Sequence, residues 1–159
     1  MAEHELLAKA TWNQDDFETM GWHDARLYGV AAFPGSSEFA LDLDYIVKWL
    51  NPVPPDNTFM FWISPVTLVF QDARDISLAL PMLSQTVHVL DLVRTPLPNN
   101  QVGWSWALEL DSGEISLKAR GYIQHFRREP VLCRHQEIPE EERGGVSLAR
   151  FSFDEPRIT

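Results

Sequence analysis

Residues 39–49 read Phe39-Ala40-Leu41-Asp42-Leu43-Asp44-Tyr45-Ile46-Val47-Lys48-Trp49, and their period decides the fold class. Every odd position is apolar, while Asp42, Asp44 and Lys48 fall on the even side. Period two with one polar face is the pattern of a half-buried antiparallel strand. The preceding run, residues 23–33, reaches it through Pro34-Gly35-Ser36, a turn sequence. A three-residue loop pairs Leu27 with Leu43, and Arg26 with Asp44 on the polar face. A two-residue loop would set Leu27 beside the aspartates. Because a slip of one residue turns every side chain to the wrong face, the pattern selects the odd loop.

A second hairpin lies at 104–121. Trp104, Trp106, Leu108 and Leu110 alternate with polar or small residues, and Ile115, Leu117, Ala119 and Gly121 resume the period after Ser112-Gly113. A two-residue Ser-Gly turn sets Leu110 opposite Ile115, Trp106 opposite Ala119 and Trp104 opposite Gly121, large against small. It also sets Asp111 beside Glu114, an unfavourable pair that a longer loop relieves.

Residues 58–63, 66–71, 76–80 and 86–94 read as further strands, with proline-rich loops at 51–55 and 95–100. About seven to eight strands in succession, with no helix long enough for a parallel crossover, predict a mainly β fold, α+β at most. The expected form is an antiparallel meander drawn into a curled sheet or a barrel. A short N-terminal helix is expected from Asp15, with Glu18 completing a capping box, Gly21 as the stop, and Phe17 and Met20 facing inward. The chain of 159 residues suits a single domain, with residues 1–14 flexible or helical and 128–159 less regular. Residues 139–145 read as a solvated turn, and 146–153 as one last strand.

Composition narrows the function. Acidic residues number 23 and basic residues 13, for a net charge of −10, which argues against a phosphate backbone as partner. Cys133 is the one cysteine, so no internal disulfide framework exists and a reducing compartment fits. An acidic start at Glu3 and Glu5, and no apolar run near 20 residues, predict a cytoplasmic protein that does not enter a membrane. The charge is uneven: residues 1–50 hold nine acidic and three basic side chains, whereas 118–134 hold five basic and one acidic.

Candidate chemistry gathers on the first hairpin. Asp24, Arg26, Asp42 and Asp44 share a face in the chosen register, so carboxylates converge there. His23 points away, because neighbours in a strand alternate. The plain alternative is a solvated face with an Arg26–Asp44 cross-strand pair. Cys133 and His135, with His125 more distant, lack a second ligand pair at zinc spacing, so no metal is expected. No Gly-x-Ser-x-Gly elbow, no glycine-rich phosphate loop and no cofactor signature occurs, and no catalytic residue is assigned. Trp62, Trp104 and Trp106, with Trp49, either line a ligand pocket or fill the core.

Several motifs stand together: Gly21-Trp22-His23-Asp24-x-Arg26, Leu43-Asp44-Tyr45-Ile46-x-Lys48-Trp49, and Phe61-Trp62-x-x-Pro65-x-Thr67-Leu68-Val69-Phe70. Gly121-Tyr122-x-Gln124 and Glu142-Arg143-Gly144-Gly145-x-Ser147 complete the set. This pattern resembles a group of small bacterial β-rich proteins with no established activity, and the resemblance carries over no catalytic residue. In size and charge the chain is similar to immunity proteins that neutralise bacterial toxins. The leading expectation is therefore a non-enzymatic module that binds a basic protein partner. Asp24, Arg26, Asp42 and Asp44 would form its face, with Trp22 and Trp49 as anchors. A small-molecule-binding barrel with a tryptophan-lined pocket is the alternative, and a carboxylate-based hydrolase comes third.

Overall fold

The computed structural model describes residues 6–156. Ten strands follow in order: β1 (Thr11–Asn13), β2 (Arg26–Phe33), β3 (Glu38–Leu50), β4 (Met60–Gln71), β5 (Arg74–Ala79), β6 (Val87–Pro96), β7 (Trp104–Leu110), β8 (Gly113–Ala119), β9 (Gly121–Phe126) and β10 (Val131–Cys133). A 3₁₀ helix (Gln14–Thr19) follows β1, and a one-turn helix α1 (Glu140–Arg143) follows β10. Every strand pairing is antiparallel. The hydrogen-bonded order is β1-β9-β4-β3-β2-β6-β7-β8-β5, with β10 added to β4. The fold is mainly β, as the alternation predicts. The sheet is curled and its path does not close into a barrel.

The additional strands have plain causes. The additions are β1, β9 and β10: β1 and β10 are three residues each, too short to show a period, and β9 starts at Gly121, which the alternation reads as the end of the strand before it. Residues 58–63 and 66–71, expected as two strands, are the single strand β4 running through Pro65. An inner strand ordinarily rejects proline, which cannot donate to the ladder. Here β10 occupies the far edge of β4 up to Ile63 and β9 begins at Val66, so Pro65 lies at the break between them. Its carbonyl points to that edge, accepting from the Arg127 amide at 2.9 Å. The absent N–H faces the same way, so no bond to β3 is lost.

The first hairpin has the expected pairs Arg26–Asp44 and Leu27–Leu43, reached by another route. Phe33 pairs with Glu38 across a four-residue loop, and a bulge at Tyr28 restores the parity. A bulge inserts one unpaired residue and so undoes a one-residue slip. In the second hairpin the turn is Asp111-Ser112 and Leu110 pairs with Gly113, a shift of two from the expected register. Trp106 thus faces Leu117 and Trp104 faces Ala119, so large does not simply meet small. A shift of two leaves every side chain on its expected face. Gly113 pins it: φ is +111°, and a Cβ there would lie 1.9 Å from the Ala79 carbonyl oxygen.

The core fills the concave side. Phe39, Leu41, Leu43 and Tyr45 of β3 meet Leu68 and Phe70 of β4, Trp106 and Leu108 of β7, and Tyr122 of β9. Each buried aromatic removes ~150–250 Å² from water, worth roughly 4–6 kcal/mol before entropy. The 3₁₀ helix starts before the expected Asp15 because Asn13, not Asp15, is its cap. Asn13 accepts from the Asp15 amide at 2.8 Å, and the Asp16 carboxylate accepts from the Asn13 amide at 2.9 Å. Phe17 and Met20 pack inward as expected. The expected helical turn near the start falls partly on residues 1–5, outside the described residues, and 6–10 contain no helix. Among the described residues no helix is long and apolar enough to cross a membrane.

The convex face of β3 and β4 is covered as well, so residues 39–46 of β3 are buried on both sides. The cover is the C-terminal segment. Ile138 joins Ile46, Phe61, Ile63 and Cys133 in a second small core. The Thr67 hydroxyl donates to the Ala149 carbonyl at 2.8 Å, and the Phe153 amide to the Phe126 carbonyl at 2.9 Å. Residues 146–153 do not form the expected strand.

Candidate functional site

Asp42 and Asp44 are both fully buried, which overturns the solvated face read from the alternation. The residue that meets them is Arg143, from the stretch expected to be a solvated turn; its side chain is 1% exposed. Its Nη2 donates to Asp42 Oδ1 at 2.5 Å and its Nε to Asp44 Oδ1 at 2.7 Å. Arg127 Nη2 adds a bond to Asp42 Oδ1 at 2.8 Å. The amides of Ser147 and Ile138 donate to Asp42 and Asp44, each at 2.9 Å. The Tyr28 hydroxyl donates to Asp44 at 2.8 Å, and the Arg143 guanidinium lies 3.5 Å from the Tyr28 ring centroid.

Burial opposes the charge on Arg143, but its hydrogen bonds to the two aspartates outweigh that and hold it above the ordinary arginine range. At Arg127 burial wins over the attraction of Asp42 and holds the guanidinium below that range. Such a clasp stabilises little relative to apolar packing, yet removing one member strands the others, at a cost of about 3–5 kcal/mol. Its role is positional: it fixes α1 and residues 144–149 over β3. With every described oxygen contact directed to a guanidinium, amide or hydroxyl, and with no exposure, Asp42 and Asp44 offer no carboxylate to a partner or a substrate.

The remaining candidates separate. Arg26 lies opposite Asp44 in register, but its guanidinium bonds Glu137 instead. Asp24 is half-buried in a left-handed turn at φ 66° and accepts from Gln136 Nε2 at 2.9 Å. Trp22 is 2% exposed and donates to Gln124 Oε1 at 2.8 Å, so it belongs to the core and cannot serve as an outward anchor. Trp49 is exposed, packed edge-on against Phe61 with ring centroids 5.0 Å apart.

Of the three tryptophans of the pocket alternative, Trp104 and Trp106 pack against each other and Trp62 lies apart. Trp106 is fully buried, with Phe17, Phe70, Trp104 and Tyr122 around it and its Nε1 on the Ala119 carbonyl. Trp104 is half-buried under the Arg94 guanidinium at 4.0 Å. Trp62 lies in β4 between Lys48 and Leu132. Cys133 is buried, and burial pushes its thiol up to about 11, unlike a nucleophile. His125 bonds Ser152 Oγ at 3.1 Å, and burial lowers its pKa. Among the described residues no group of three His, Cys, Asp or Glu is placed to hold a metal ion.

A different acidic feature does reach solvent. Asp91 of β6 pairs with Glu109 of β7, which pairs with Glu114 of β8. All three are exposed, forming a row across three adjacent strands on the convex side. Directly opposed side chains in an antiparallel pair have Cβ atoms about 4.5–5.5 Å apart, and like charges there repel. None of the three has a cation within ion-pair distance among the described residues. Alternation already turns Glu109 and Glu114 outward. Asp91 joins them because of a bulge between Val89 and Asp91, which no pattern in residues 86–94 announces. The chain matches no family model, no curated protein and no solved structure, so the group resembled by its motifs has no match behind it and the site rests on its geometry.

Proposed function

We propose that the protein is a non-enzymatic module that binds a basic protein partner, with the Asp91–Glu109–Glu114 row as part of the contact. The row carries the reading: three carboxylates held in register against their own repulsion are stabilised by a cationic surface laid across them. The buried clasp takes two charges of each sign, so the whole excess of ten negative charges stays outside it. That excess steers association with a basic protein and makes it salt-dependent. A bacterial toxin is the most concrete partner, given the similarity in size and charge to immunity proteins.

The test uses the intact chain and the Asp91→Asn/Glu109→Gln/Glu114→Gln variant as baits. A captured protein is identified, purified and titrated against both at low and high salt. A basic partner whose affinity falls at least about tenfold with the variant, and falls with salt, supports the proposal. Equal affinity for both baits, or turnover of a substrate by the chain alone, overturns it.

A further inference from the structure

β2 pairs with β3 along one edge, but on its other edge β6 meets it at Arg26 and Leu27 alone. From Tyr28 to Phe33 that second edge carries no strand, and no other backbone bond among the described residues reaches it. Six residues of strand span about 20 Å. Beside this edge residues 80–86 pass without joining it as a strand, leaving a groove of about 620 Å³. Leu83 and Val146 both line the groove and are 79% and 61% exposed. Gly29 makes room for the cover at this point, since a Cβ there would lie 3.1 Å from Val146 Cγ1.

An open strand edge is a template for another strand, and proteins normally pair, charge or cover it. From Tyr28 to Val30 this edge borders the groove walled by residues 80–86 and 144–146, a shape that suits a single extended segment. The charge lining the groove comes from Arg26, already paired with Glu137, and Glu140, which has no cationic partner among the described residues. The groove therefore favours a segment carrying Lys or Arg beside apolar side chains for Leu83 and Val146. We propose that an extended basic segment of the partner adds to the open edge of β2 as a strand. Backbone bonds supply the affinity and the apolar rim the selectivity. This rests on the reading of the protein as a binder of a basic partner.

The test pans a random octapeptide library on the purified chain. Amide hydrogen exchange is then followed with and without enriched peptides. The expected peptides hold Lys or Arg with apolar residues at alternate positions, and they slow exchange within residues 28–33. N-methylation of alternate peptide amides weakens binding by at least about tenfold, as do Leu83→Ser and Val146→Ser, while the Asp91→Asn/Glu109→Gln/Glu114→Gln variant binds them normally. Both single substitutions are at exposed positions, and circular dichroism verifies that the fold is kept. Failure to enrich, or binding with no protection at 28–33, overturns the groove. Full protection at 28–33 without peptide does the same, because residues 80–86 would then close the edge themselves. Peptides lost with the acidic-row variant but kept by Leu83→Ser overturn the groove and leave the acidic-row reading standing.

Discussion

The convex face carries two sets of acidic side chains that look alike as sequence and behave as opposites. On β3, Asp42 and Asp44 lie under the C-terminal segment, with Arg143 and Arg127 as counter-ions. On β6, β7 and β8, Asp91, Glu109 and Glu114 stand open with no counter-ion among the described residues. Asp42 and Asp44 alternate with buried side chains, as does Glu109. The difference is that the first is covered by a chain about one hundred residues away in sequence, and the second is not. A polar strand face is thus not solvated merely because it is polar. Burial follows from what crosses it, and a carboxylate can be covered when guanidinium and amide donors arrive with the cover.

The clasp gives the largest expected effect. Asp42→Ala, which leaves Arg143 and Arg127 facing a buried gap, is expected to cost about 3–5 kcal/mol in urea unfolding. Asp44→Ala combined with Arg143→Ala should cost less than the sum of the single changes, with a coupling of about 1 kcal/mol or more. Strict additivity would mean that Asp44 and Arg143 do not act as a unit. On the open side, Gly113→Val should cost about 2–4 kcal/mol, combining left-handed strain with overpacking against the Ala79 carbonyl. A variant as stable as the parent would show that this glycine does not pin the register placing Glu109 opposite Glu114.

Alkaline pH probes the covered regions specifically. Burial raises the pKa of Tyr45 to about 12, and burial with the charge of Asp44 pushes Tyr28 up further. A folded pKa above the unfolded value of about 10 stabilises the native state fully below pH 10. That contribution is lost as pH rises through 12, an effect of about 2–3 kcal/mol for Tyr45. Unfolding followed by circular dichroism from pH 9 to 12.5 should steepen over this window, and Tyr45→Phe should flatten it. The smallest effect belongs to the open row. Asp91→Asn and Glu109→Gln should each stabilise by roughly 0.2–1 kcal/mol at low salt, and the gain should fade by 1 M salt as screening removes the repulsion. Destabilisation by either change would show that these carboxylates are paired after all.

The legible part of the molecule is the part written in local periods. Strand identity, the facing of Leu43 and Leu108, and the inward turn of Phe17 follow from spacing alone. The pairs Arg26–Asp44 and Leu27–Leu43 were readable too, although parity comes from a bulge at Tyr28 and not from the loop. Bulges stayed hidden because nothing in a strand's composition marks one extra residue, and the facing of Asp91 went with them. The second hairpin departs by two residues from the register its turn suggests, because a shift of two leaves the hydrophobic pattern unchanged. The observed register brings Gly113 so close to the Ala79 carbonyl, on a strand more than thirty residues earlier, that no Cβ fits between them, and no local pattern announces that contact.

By itself the sequence determined a mainly β, antiparallel chain with a strong negative excess, because side-chain period and charge are local and additive. Tertiary structure alone decided which of its acidic faces is dry and which edge of β2 stays open. Arg143 and Asp42 are a hundred residues apart, and their meeting depends on the path of a segment that has no strand period of its own. The open edge depends on where β6 begins to pair, which the hydrophobic pattern of either strand leaves undetermined.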